Sequence, residues 1–196
     1  MTMKSPRSFS EAAGARMTDN KELPQRLSRE TIFQSDYLSL YIDRVQQPNG
    51  FIIERFHYVE YPRPAVTAVV ENEKGEVVLC KVPRYATNSC TWSTPAGGVD
   101  EGEDLLKTAQ REVREETGFD SYEHELVYSY FPQDGSSNKL FHVVFCKVGE
   151  QTGNFDPDEI SEVAWFSRQE IESMLDRGEL EDGLGLTALL LWLRKR

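Results

Sequence analysis

Cysteine is scarce in this 196-residue chain, and its three copies are poorly placed for chemistry. Cys80, Cys90 and Cys146 cannot all pair and include no CxxC spacing, so neither a disulfide framework nor a thiolate zinc site is indicated. A reducing cytoplasm is the expected compartment. The only histidines, His57, His124 and His142, have no mutual ligand spacing. Cationic charge is also short, with 22 Lys and Arg against 33 Asp and Glu and a formal net charge of -11. That balance argues against nonspecific binding to nucleic acid or to an anionic membrane, both of which recruit clustered Lys and Arg. No apolar run approaches a membrane span, Ala12 to Ala15 fall far short of a signal-peptide core, and no GxxxxGK[ST] phosphate loop is present. If such a protein handles phosphates, a cation must help.

What the chain does have is ordinary globular content, with 39% apolar residues, enough for one domain with a modest extension. Residues 1–27 lack periodicity and are expected to form a disordered extension. Short strand patterns follow at Thr31 to Gln34, Leu38 to Val45 and Phe51 to Tyr61, the last two joined by the turn Pro48-Asn49-Gly50. They predict an antiparallel sheet over 28–61, ahead of a main domain over 62–196. There the pattern predicts a hairpin from Ala65 to Val82 and a breaker at Pro95-Ala96-Gly97-Gly98. A helix over 103–117 is stopped by Gly118. Strands at Leu126 to Phe131, Leu140 to Val148 and Glu162 to Phe166 come next, then helices near Arg168 to Arg177 and Leu184 to Leu193. The order is mixed α/β.

The helix over 103–117 carries the chemistry. At about 100° per residue, Leu105, Ala109, Glu112 and Glu116 share a sector beside Leu106 and Val113. Two carboxylates therefore border the apolar stripe, while Asp104, Lys107 and Arg114 lie on the solvated side and Glu115 between the faces. Burying like charges together is costly without a cation. Oxygen ligands of this kind suit Mg²⁺ or Mn²⁺, which share their shells with water and substrate phosphates. For an arbitrary acidic helix, a solvated face would be the simpler reading.

The full spacing resembles the Nudix hydrolase box, Gly-x5-Glu-x7-Arg-Glu-U-x-Glu-Glu-x-Gly-U, with U a bulky apolar residue. Gly97, Glu103, Arg111, Glu112, Glu115, Glu116 and Gly118 match all seven fixed positions. Val113 fits the first U, and Phe119 is a mild departure at the last. At roughly 6% usage per residue type, a chance match is on the order of one in a million. The resemblance implies a mixed sheet between helices and metal-dependent hydrolysis of a nucleoside diphosphate linked to another moiety. It makes Glu112 and Glu116 metal ligands, joined by the Ala96 carbonyl. Glu115 becomes a second-metal ligand or the base. Arg111 pairs with a box carboxylate, most plausibly Glu103, and Gly97 and Gly98 allow a turn.

Further along, Arg84-Tyr85, Trp92 to Pro95, Pro132 to Asn138 and Gly178 to Asp182 are similar, in order, to ADP-ribose pyrophosphatases. In that subgroup a glutamate on a mobile acidic loop activates the water. Here Glu159 is favoured for that role, with Glu162 second, the alternative being an acidic solvent loop in which Glu162 merely starts a strand. Arg84 takes the place of a phosphate-contacting arginine, with a structural ion pair as the alternative. Asn138 departs from the subgroup, which commonly has Glu there. Phe51 and Tyr58 are candidates for stacking on a nucleobase, with core packing as the alternative. The resemblance thus implies cleavage of ADP-ribose to AMP and ribose 5-phosphate, the alternatives being another nucleoside diphosphate sugar such as GDP-mannose or a nucleotide-binding regulator without turnover. A homodimer formed through the N-terminal sheet is also implied.

Overall fold

A computed structural model describes residues 23–195, so most of the expected extension and Arg196 lie outside the described residues. The chain divides into two compact units: residues 23–62 with 133–139, and residues 63–132 with 140–195.

The first unit is an antiparallel sheet of β1 (Gln25–Gln34), β2 (Ser39–Gln46) and β3 (Ile52–Glu60) in that order. β1 starts earlier than its apolar pattern suggested, inside the segment expected to be an extension, because its polar residues pair with β2 from Gln25 to Gln34. A three-stranded sheet has little apolar surface to bury, and a mixed stack compensates. Arg29 donates two 2.7 Å hydrogen bonds to Asp43, and its guanidinium lies 4.0 Å from the Tyr41 ring centre and 5.0 Å from that of Tyr58. Residues 133–139 join this unit through Asn138, whose amide accepts from the Tyr61 N–H at 2.7 Å and donates to the Tyr61 carbonyl at 3.1 Å. The residue that departs from the subgroup pattern therefore holds backbone here.

The second unit is built on a mixed sheet of β4 (Ala65–Glu71), β5 (Val77–Arg84), β6 (Ser89–Ser93), β7 (Ala96–Gly98), β8 (Phe119–Tyr130), β9 (Phe141–Gln151) and β10 (Glu162–Phe166). The main order is β10-β5-β4-β9-β8, with β4 and β9 parallel. Side chains alternate across it, as strand geometry requires. Val66, Ala68, Val70 and Val144 face the Ala109 and Val113 stripe of α1 (Leu105–Thr117). Val69, Leu79 and Val143 pack instead with Ile171 of α2 (Arg168–Asp176) and Leu189 and Trp192 of α3 (Gly183–Leu193). The sheet is thus layered between helices. The C-terminal end of α3 takes its cation from Arg168, which donates to the Leu193 and Lys195 carbonyls, both at 2.8 Å.

One irregularity positions the functional site. β4 and β5 pair only beside their hairpin turn, at Glu71 and Val77. Beyond it, β6 pairs with β5 and β7 with β4. The expected breaker at Pro95 to Gly98 is therefore strand in its last three residues, and Gly97 and Gly98 serve pairing rather than a turn. Pro95 cannot donate to a ladder, yet its carbonyl accepts from the Ala68 N–H and the Thr67 hydroxyl, each at 2.9 Å.

Gly118 ends α1 with φ of 75°, a left-handed conformation costly for a residue with a Cβ. A Cβ there would also approach the Gly153 carbonyl oxygen to 2.5 Å. Gly118→Ala should therefore lower stability by about 2 kcal/mol or more, read as a fall in Tm; an unchanged Tm would contradict this account.

Candidate active site

α1 begins at Asp104, whose carboxylate accepts from the Leu106 and Lys107 N–H groups at 3.1 Å each. This residue was read only as solvated, but it caps the helix and sets its start. With the start and end fixed, Glu112 and Glu116 extend the buried Ala109 and Val113 face by one and two turns. Glu112 is only 9% exposed. Gly97 has no side chain for a simple reason: a Cβ there would fall on the Glu112 carboxylate.

Glu112 is buried and Glu116 half-buried, and the two carboxylates have different partners. Glu112 accepts from Arg111 Nη1 at 2.7 Å, whereas Glu116 accepts the Ala96 backbone N–H at 3.1 Å. Burial pushes the Glu112 carboxyl above its ordinary range despite the adjacent guanidinium. It pushes Glu116 up to about 8, with the Glu112 and Glu159 charges adding to the rise and the Ala96 N–H and Arg84 opposing it. Glu115 is half-exposed and shares Arg111 Nη1 at 2.9 Å. Arg111 also reaches Glu103 through Nε at 3.2 Å and Nη2 at 3.3 Å, the expected pairing, and holds that carboxyl below its usual range.

Arg84 ends β5, exposed and without an ion-pair partner among the described residues, and its charge favours ionised Glu116. Glu159 lies in a loop fastened on both sides. Upstream, Asp156 N–H donates to the Glu115 carbonyl at 3.0 Å, and Thr152 and Gly153 N–H donate to Gly118. Downstream, Ile160 is buried with Cys80 and Val82, and Ser161 bonds the Lys81 carbonyl through both its N–H and its hydroxyl at 2.9 Å. These anchors keep the Glu159 charge near both buried glutamates while leaving its side chain exposed. Sequence reasoning missed them, although an Ile between Glu159 and Ser161 was a signal for an inward anchor. Glu162 instead starts β10 and pairs with Lys81 at 3.3 Å. Phe51 and Tyr58 belong to the first unit; Phe51 is exposed, while Tyr58 is half-buried and stacked on Tyr41.

The donor set suits a hard divalent cation: two buried carboxylates that repel each other, with a third carboxylate beside them. Among the described residues, no group of three or more Asp, Glu, His or Cys side chains is arranged to hold a metal ion. A hard divalent cation such as Mg²⁺ usually takes one or two protein carboxylates and completes its shell with water and phosphate oxygens.

A model of the NUDIX domain matches residues 61–186. The chain belongs to the NUDIX domain family. It is a pyrophosphatase-type hydrolase, of a family whose hydrolases generally use a divalent metal. It is 26% identical over 159 residues to an ADP-ribose pyrophosphatase of Bacillus subtilis (strain 168), covering 80% of this chain and 85% of that protein. It is also 27% identical over 163 residues to the CMP-5'-(N-acetyl-N-hydroxy-3-aminopropyl)phosphonate hydrolase of Streptomyces rubellomurinus (strain ATCC 31215), covering 81% and 78%. The crystal structure of an ADP compounds hydrolase shares the fold, with a TM-score of 0.75 at 18% identity over 86% of this chain and 91% of that one.

A folded-state value near 8 for Glu116, against an ordinary 4.5, means that the metal-free folded protein holds a proton that the unfolded chain releases between those values. This group's contribution therefore becomes less favourable as pH rises from about 4.5 to 8. Glu116→Gln keeps an acceptor for the Ala96 N–H and removes the charge. In chelator at pH 8 it should melt at least ~3 °C above the parent protein, with the gap shrinking toward pH 5. A lower Tm than the parent at pH 8 would overturn the charge-burial account.

Proposed function

We propose that this NUDIX pyrophosphatase cleaves ADP-ribose, adding water across the diphosphate to give AMP and ribose 5-phosphate. The observation that carries the reading is the pair of desolvated carboxylates, the buried Glu112 and the half-buried Glu116, at matching positions of the signature. The similarity to an ADP-ribose pyrophosphatase over most of both chains supports the substrate class. Glu112 and Glu116 would hold Mg²⁺, or Mn²⁺, with the Ala96 carbonyl and with Glu115 toward a second ion. When bound, the metal neutralises phosphate charge and acidifies a coordinated water.

The remaining roles fall to the chain's own groups. Arg84 carries a forked, unpaired guanidinium suited to a phosphate oxygen. Glu159 takes the proton from the attacking water: it is exposed, and its charge is felt at both buried carboxylates. Glu115, already engaged by Arg111, and Glu162, paired with Lys81, are less available for that transfer. The three free thiols suit a reducing cytoplasm. In the first unit, β1 pairs only with β2 among the described residues, and its other edge offers backbone groups for a homodimer.

The test of substrate is a hydrolysis panel of nucleotide sugars, including GDP-mannose, and nucleoside triphosphates with Mg²⁺ and product identification. ADP-ribose should rank among the best; a marked preference for triphosphates would reject the proposal. For the base, Glu159→Gln should lower kcat by about 10²–10⁴-fold with little change in metal affinity, while Glu162→Gln should stay within about threefold of the parent. The opposite pattern would transfer the role to Glu162.

A further inference from the structure

Arg111 is in the wrong place for a residue that merely braces a metal ligand. Its Nη1 bridges Glu112 Oε1 at 2.7 Å and Glu115 Oε2 at 2.9 Å, carboxylates that the proposed reading gives to the metal. The other side of the same guanidinium, Nε and Nη2, holds Glu103 through longer bonds of 3.2 and 3.3 Å, and Nη2 touches the Gly98 carbonyl at 3.4 Å. One planar cation thus spans two sets of acceptors, with its shorter contacts on the proposed ligands. Glu103 lies eight residues before Arg111, ahead of α1, and its carboxylate also accepts from the Asp100 N–H at 3.4 Å. It is an anionic anchor that the proposed metal does not require.

We infer that Arg111 is a resident counter-cation, which neutralises Glu112 and Glu115 in the metal-free protein and gives up that role when the metal binds, with Glu103 retaining it. The reason is competition. Arg111 contacts one oxygen of each carboxylate, Glu112 Oε1 and Glu115 Oε2, so the competition is one of charge: a guanidinium and a divalent cation beside the same carboxylates repel each other. The exchange keeps the buried Glu112 from facing the half-exposed Glu115 uncompensated, since an unpaired buried charge is costly. It also makes Arg111 a positioning residue with an unusual sign: it opposes metal binding, and Glu103 favours binding by holding Arg111 aside.

This inference rests on the metal reading above, and its test separates the two. Mn²⁺ binding to the intact protein, without substrate, is measured by calorimetry or by electron paramagnetic resonance for the parent, Arg111→Met, Glu103→Gln and the double variant. Arg111→Met should bind Mn²⁺ at least about threefold more tightly than the parent while melting lower in chelator. Glu103→Gln should bind at least about threefold more weakly, and this loss should largely vanish in the Arg111→Met background, because Glu103 acts through Arg111. Weaker binding by Arg111→Met would overturn the exchange and return Arg111 to bracing. A Glu103→Gln loss of equal size in both backgrounds would also overturn it, showing only the long-range field of a lost carboxylate. If Arg111→Met does not fold, Arg111→Lys serves, because one ammonium cannot span both acceptor sets; it should bind Mn²⁺ more tightly than the parent, and weaker binding refutes the proposal. Saturable binding by the parent that Glu116→Gln abolishes supports the metal reading whichever way Arg111 falls. Absence of saturable binding by the parent refutes both.

Discussion

Two carboxylates must be kept against the hydrophobic core, and most features of the second unit follow from that requirement. Glu112 and Glu116 continue the face of α1 that packs Ala109 and Val113 against the sheet. They cannot be swung into solvent without turning those residues out as well. Their desolvation opposes ionisation, so the surroundings supply compensation in small pieces: a backbone N–H from Ala96, a guanidinium from Arg111 and the field of Arg84. None of these is a full neutraliser of Glu116. The helix therefore keeps negative charge concentrated beside the sheet.

The parted sheet is the structural means to that end. Continuous pairing of β4 with β5 would leave no place for the segment that approaches the helix. Because the strands separate after Glu71 and Val77, the segment from Ser89 to Gly98 crosses from β5 to β4 and lays Ala96 beside Glu116. Pro95 is fixed by acceptor bonds alone, and Gly97 leaves room for the Glu112 carboxylate. Ser93 adds a tie to the other layer: its hydroxyl donates to Asp182 at 2.8 Å, and the same carboxylate caps α3 by accepting the Gly185 N–H at 2.7 Å.

The helix was legible in sequence because its spacing encodes both a face and a signature, and β10 because a short β-branched and aromatic run has few other uses. β7 was not legible. Its Ala-Gly-Gly has no strand propensity, and its conformation comes from pairing with β4, a tertiary override of local preference. β1 was found late by five or more residues, since its exposed residues carry no apolar alternation. Single side-chain roles were hidden for a different reason. Asp104 as a cap, Arg168 at the end of α3 and Asn138 on Tyr61 each depend on a partner that sequence distance does not reveal. Tyr58, a candidate for base stacking, is engaged with Tyr41 and Arg29.

Burial also gives chemically identical glutamates different environments. A carboxylate that has lost its hydration gains more from a cation than one that remains wet, which suits Glu112 and Glu116 to holding a metal. A proton acceptor needs the reverse, namely access to water and freedom to turn toward it. Glu159 meets that need because the fastening is placed on its neighbours: Ile160 is buried and Ser161 grips Lys81, so the backbone is held while the carboxylate is not. Glu115 occupies the border between these environments, half-exposed and already sharing Arg111. The division follows from where α1 and the Asp156 to Ser161 loop meet the sheet.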